Sequence, residues 1–135
     1  MEQAKMDHMS ARYNKVGAEI ILAGLSASPD LWLYATAGEG WVGPALFAIG
    51  EGELLWVDDL LIDLGMSVLD LWMSEEPAKR WEVMEFELHG TEFKSRFHYP
   101  GDLPPDDELG FARRDELIRR RFGNFKVVYP PDPSS

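Results

Sequence analysis

"WEVMEFELHGTEFKSRFHY", residues 81–99, decides the fold. Met84, Phe86 and Leu88 alternate with Val83, Glu85 and Glu87. After Gly90-Thr91, Phe93, Ser95, Phe97 and Tyr99 alternate with Glu92, Lys94, Arg96 and His98. Successive side chains of a strand point to opposite faces, and a two-residue turn closes two such runs into an antiparallel hairpin. The predicted register sets Leu88 opposite Phe93 and Met84 opposite Phe97 on a buried face. On the other face it sets Glu87 opposite Lys94 and Glu85 opposite Arg96, where opposite charges contribute about 0.2–1 kcal/mol per pair. A slip of one residue would turn the whole apolar set outward, so the pattern specifies its own register.

A lone hairpin is marginal in water, and the stretch before it supplies more sheet. "LWLYATA" (31–37) is apolar almost throughout and reads as a strand. "GEGW" turns the chain, with Gly38 and Gly40 free to take positive φ. "ALFAI" (45–49) follows, with Pro44 at its start, and "GEGE" turns again into "LLWV" (54–57). A meander of this kind needs helices over it. One is predicted over Ala4–Leu25, with Met9, Tyr13, Val16, Ile20, Ile21 and Leu25 at helical spacing and Pro29 beyond its end. A second lies in "LGMSVLDLWMSEEP", where Leu64, Val68, Leu71 and Trp72 share a side and Pro77 follows.

Downstream of the hairpin, "PGDLPPDDE" reads as a loop. A helix then runs from about Asp106 or Leu109 to Phe122, with Gly123 as its C-cap. Asp106, Asp107 and Glu108 suit the positive end of its dipole, and Arg119, Arg120 and Arg121 the negative end. Asp115 and Arg119, and Glu116 and Arg120, stand at i,i+4 in the favoured order. The Arg-rich stretch is therefore read as an ion-paired helix, and nucleic-acid binding is not expected. "FKVV" is a candidate last strand, and about 129–135 a flexible tail. The expected fold is one α+β domain over residues 1–135, with an antiparallel sheet in the order α-β-β-β-α-β-β-α and helices packed on it.

Charge is the most informative part of the composition. The 135 residues carry a net charge of −11. Between Val16 and Ala78 there is no Lys or Arg, while Glu19, Asp30, Glu39, Glu51, Glu53, Asp58, Asp59, Asp63, Asp70, Glu75 and Glu76 all lie there. The rest of the chain balances 13 acids against all 13 Lys and Arg. A field of one sign repels nucleic acid and anionic lipid and attracts basic partners. It serves either solubility alone or the capture of a basic protein. Several of these acids fall in or just after the turns of the meander. Glu39, Glu51, Glu53, Asp58 and Asp59 are accordingly the candidate partner-binding residues, with Trp41, set among glycines, as an aromatic anchor.

Other chemistry is thinly represented. The absence of Cys excludes disulfides, thiolate zinc sites and a Cys nucleophile. His8, His89 and His98 show no H-x-x-x-H spacing, and the glycines of "GEGWVGP" lack the Lys and helix of a phosphate loop. Asp58 and Asp59 could serve a metal or act as acid and base. As strand neighbours, however, they would face opposite ways, and a turn or N-cap role fits them better. His98 is a candidate base, or simply an outward strand residue facing Val83. The remaining four Trp are expected in the core. "MEQAKMDHMS" has no signal-peptide core, and Leu54–Met73 holds four Asp, which excludes a membrane span. A cytoplasmic, non-enzymatic protein is expected, with no catalytic residue, metal or cofactor.

The C-terminal half resembles the YezG-type family of bacterial immunity proteins. The resemblance lies in the Trp-led hairpin with Trp81, Phe86, Phe93, Phe97 and Tyr99, in Asp102 of the following loop, and in Arg113 or Arg114, Leu117 and Ile118 of the last helix. It implies an α+β antitoxin that neutralises a secreted toxin, often a nuclease. In topology and acidity the chain also resembles class I type III secretion chaperones, which implies a dimer that binds an extended effector segment.

Overall fold

A computed structural model describes residues 15–19, 30–57, 62–90, 92–106, 108 and 110–129. Residues 15–19 are helical (α1). There follow β1 (Asp30–Gly38), β2 (Trp41–Ile49), β3 (Glu53–Trp56), α2 (Ile62–Met73), a 3-10 turn (Pro77–Lys79), β4 (Val83–His89), β5 (Glu92–His98), α3 (Ala112–Phe122) and β6 (Lys126–Val128). The six strands form one sheet in the order β5-β4-β1-β2-β3-β6. The expected α+β class and element order hold. Of the first predicted helix, only 15–19 lies within the described residues.

The hairpin adopts the predicted register, but the burial expected of β5 fails at Phe93, which is exposed on this edge strand. Leu88 pairs with Phe93, Met84 with Phe97, Glu87 with Lys94 and Glu85 with Arg96. Its inner edge, β4, lies beside β1, with Leu33 opposite Phe86. β1 is thus flanked by β2 and β4.

Helices cover both faces of the sheet, which explains why β1 is apolar on both sides. Leu31, Leu33, Ala35 and Ala37 join Met84, Phe86 and Leu88 under α1 and α2, which contribute Val16, Leu64, Val68, Leu71 and Trp72. Trp32 and Tyr34 point the other way, joining Phe47, Leu54 and Val83 under Leu117 and Ile118 of α3. Buried apolar surface contributes about 25 cal/mol per Å², so each face is a separate driving force for its own helix.

Two expectations about the sheet are corrected. It is mixed, because β6 runs parallel to β3, with Leu54 opposite Val127. The chain leaves β5 at one edge, crosses the sheet in α3 and reaches the far edge, where Val127 packs against the α3-side core. Pro44 also lies inside β2, opposite Ala35, and not at its start. The position tolerates proline because β3 pairs only with Phe47, Ala48 and Ile49. Among the described strands, β2 at Pro44 has a neighbour on one side only.

α3 begins at Ala112, later than the acids Asp106 and Glu108. Asp106 still caps it from the preceding loop, its Oδ1 accepting the Arg113 backbone N–H at 3.2 Å. Gly123 closes the helix at φ 72°, donating its N–H to the Arg119 carbonyl.

Of the two predicted helix pairs, Glu116–Arg120 forms and Asp115–Arg119 does not. Glu116 holds both Arg119 (2.6 Å) and Arg120 (3.0 Å), and these two guanidinium groups keep its carboxyl below the usual range. Asp115 meets Arg114 instead of Arg119. Among the described residues no ion pair joins Glu85 to Arg96 or Glu87 to Lys94, although their backbones are paired. Glu87 turns to His89, and Glu85 is covered by α3, which brings it a closer cation in Arg121.

Candidate functional site

β2 is nine residues long, and its length sets the geometry of the candidate site. Glu39 lies in the β1–β2 turn and Trp41 begins β2, whereas Glu51 lies in the β2–β3 turn at the other end of the strand and Glu53 begins β3. At about 3.3 Å per residue the two turns stand roughly 25–30 Å apart. The predicted partner-binding residues therefore divide into two groups at opposite ends of the sheet. Asp58 and Asp59 lie outside the described residues.

At the first end, Gly40 takes φ 75° and turns the chain into Trp41, which is 52% exposed. The indole packs on Gly38, its cross-strand partner, where a Cβ would collide with Nε1. Thr36, Ala37, Glu82, Asp106 and Arg113 form with Trp41 a notch of about 180 Å³. Arg113 gives Nη1 to Glu82 (3.2 Å) and Nε to the Pro104 carbonyl (2.8 Å). Tyr34 lies buried nearby. Burial, reinforced by the Asp106 charge, pushes its phenol up to about 12, and its hydroxyl has no hydrogen-bond partner among the described residues.

At the other end, the Gly50 N–H donates to the Glu53 carbonyl and closes the β2–β3 turn. Glu53 stands opposite Lys126 of β6. Across the sheet His89 bridges two strands, Nδ1 to Asp30 at 2.9 Å and Nε2 to Glu87 at 3.0 Å. These two hydrogen bonds, the one to Asp30 foremost, raise the His89 pKa. The two carboxylates bind opposite ring nitrogens and so do not converge on one point. Among the described residues no group of three or more His, Asp or Glu is placed to hold a metal ion.

Surface charge is unevenly satisfied. Glu39, Glu51, Glu53, Asp63 and Glu75 form no ion pair among the described residues. Most arginines are engaged: Arg113, Arg114, Arg119, Arg120 and Arg121 each meet a carboxylate. Lys15, Arg80, Lys94, Arg96 and Lys126 likewise form no ion pair among the described residues, so the negative excess is that of the net charge, −11. No helix among the described residues is long and apolar enough to cross a membrane.

His98, the candidate base, faces Val83 as expected, but its Nε2 lies 2.7 Å from the Glu85 carboxylate. Glu85 is fully buried and also receives Trp32 Nε1 and two donors of Arg121. A carboxylate with four hydrogen bonds is built as an anchor between sheet and helix. Of the five Trp, Trp32, Trp72 and Trp81 are buried, Trp56 is partly buried and Trp41 is the exposed one, as read from its turn.

Sequence reasoning missed Thr36, Glu82, Asp106 and Arg113 as neighbours of Trp41. They meet through the β1–β4 pairing, which sets Thr36 opposite Val83 and bonds the Ala37 N–H to the Glu82 carbonyl. No local pattern encodes that contact. No family model matches the chain, and a comparison with curated proteins likewise finds no match.

Proposed function

We propose that this chain is a non-enzymatic acidic binding protein of the bacterial cytoplasm that covers a basic surface on a protein toxin, as an immunity protein does. The observation that carries the reading is the charge imbalance. The net charge is −11, and between Val16 and Ala78 eleven acids stand with no Lys or Arg; of these acids Glu39, Glu51, Glu53, Asp63 and Glu75 form no ion pair among the described residues. Carboxylates so presented can occupy the lysines and arginines that a nuclease uses on phosphates, and their field speeds capture. Nucleic acid, membrane and cofactor have no part in the reading.

The test is affinity capture from the native host followed by an activity assay of the captured protein. The account expects a folded basic domain, released by salt, whose activity falls when this chain is added back. Capture of acidic or neutral proteins only, or a basic domain whose activity is unaffected, would count against it.

A secretion-chaperone role is the second reading, and β5 favours it. Among the described strands β5 has a single neighbour, so its outer edge could pair with an extended segment. A captured partner that binds through an unfolded stretch, insensitive to salt, would support this alternative.

A further inference from the structure

Trp41 is seated on the Gly38 backbone on one side and remains 52% exposed. The donors around it are largely engaged. Arg113 gives Nε to Pro104, Nη1 to Glu82 and its backbone N–H to Asp106. Glu82 and Asp106 line the notch, and Glu39, two residues before Trp41, carries no ion pair among the described residues. Two carboxylates, Glu82 and Asp106, line the notch with one guanidinium, in a molecule of net charge −11. An anion entering here would meet net repulsion, whereas a cation would meet an aromatic ring and a negative field.

The planar guanidinium suits such a place better than an ammonium. It stacks on aromatic faces and is more weakly hydrated, so covering it costs less. The chain already uses this contact internally, with the Arg80 guanidinium 4.3 Å from the Trp72 ring centroid and that of Arg114 4.2 Å from Phe111. We propose that the notch of Trp41, Thr36, Glu82, Asp106 and Arg113 receives an arginine side chain of the basic partner, stacked on the indole with its charge toward the carboxylates. The inference rests on the partner reading above.

The test uses the full ¹⁵N-labelled chain and three blocked peptides, tri-arginine, tri-lysine and tri-glutamate, observed at the indole N–H resonances of the five Trp. The Trp41 resonance is expected to move with tri-arginine, less with tri-lysine and not with tri-glutamate. Trp41→Ala should weaken tri-arginine binding about two- to fivefold, the range of an exposed cation–π contact. Glu39→Gln should weaken it without touching the ring. A Trp41 resonance that stays fixed while tri-arginine binds elsewhere, or that moves equally with tri-lysine, overturns the assignment and leaves the partner reading standing. If neither basic peptide binds the protein at low salt, the partner reading falls with it.

Discussion

Glu85 and Arg121, 36 residues apart in sequence, form a two-pronged ion pair, with Nε to Oε1 and Nη2 to Oε2 both at 3.1 Å. It fastens α3 to β4 across the core that Trp32 and Phe47 occupy. Removing one partner of a buried pair costs more than the pair itself contributes, because the remaining charge is stranded. Arg121→Ala should therefore destabilise the fold by about 3 kcal/mol in urea unfolding. The paired replacement Glu85→Leu/Arg121→Met should lose clearly less. Equal losses would mean that the pair is not a coupled unit.

Phe86 and Phe93 stack at 4.8 Å but have unequal standing, the first fully buried and the second 37% exposed on the edge strand. Phe86→Ala should cost on the order of 3–5 kcal/mol, as full core truncations do. Phe93→Ala should cost well under half of that in the same assay. Similar costs would contradict the edge position of β5.

His89 gives a pH signature. Asp30 and Glu87 raise its folded pKa above the ordinary 6.5. Its contribution to stability is fully present below that unfolded value and is lost as pH rises through the raised folded pKa. The ring is half exposed, so the effect is modest. An NMR titration should place His89 above 6.5, and Asp30→Asn should bring it down. A folded value at or below 6.5 would contradict the bridge.

The arginine cluster gives a negative expectation. Arg119 and Arg120 share Glu116, and Arg121 is committed to Glu85. No micromolar binding to duplex DNA or RNA is expected at physiological salt, because the net field repels phosphate. Tight binding abolished by Arg119→Ala/Arg120→Ala would reverse that view.

The hairpin register, the buried side of α2 and the exposure of Trp41 were all legible in sequence, because each follows from a local period or turn. The burial of Glu85 was not, since alternation alone assigns it to solvent. A clue did exist in β1: "LWLYATA" is apolar on both faces, which requires a helix on each. Glu85 stands two strand positions from Val83 on the face that α3 covers. The parallel β6 was legible only as a strand, because three residues cannot declare which edge they join. The division of the acidic residues between two sheet ends was legible, because successive turns of a meander fall at opposite ends; the nine-residue length of β2 was not, because Pro44 reads as a strand start.

The central claim is that the unpaired acids bind a basic protein, and the salt dependence of association tests it most directly. The association rate of the captured partner should be measured across ionic strength for the wild type and for Glu39→Gln/Glu51→Gln/Glu53→Gln. Exposed charges steer encounter and are screened within a Debye length of about 8 Å at physiological salt. The account predicts that the variant associates more slowly and with a flatter salt dependence. Unchanged rate and unchanged salt dependence would show that these carboxylates serve solubility alone.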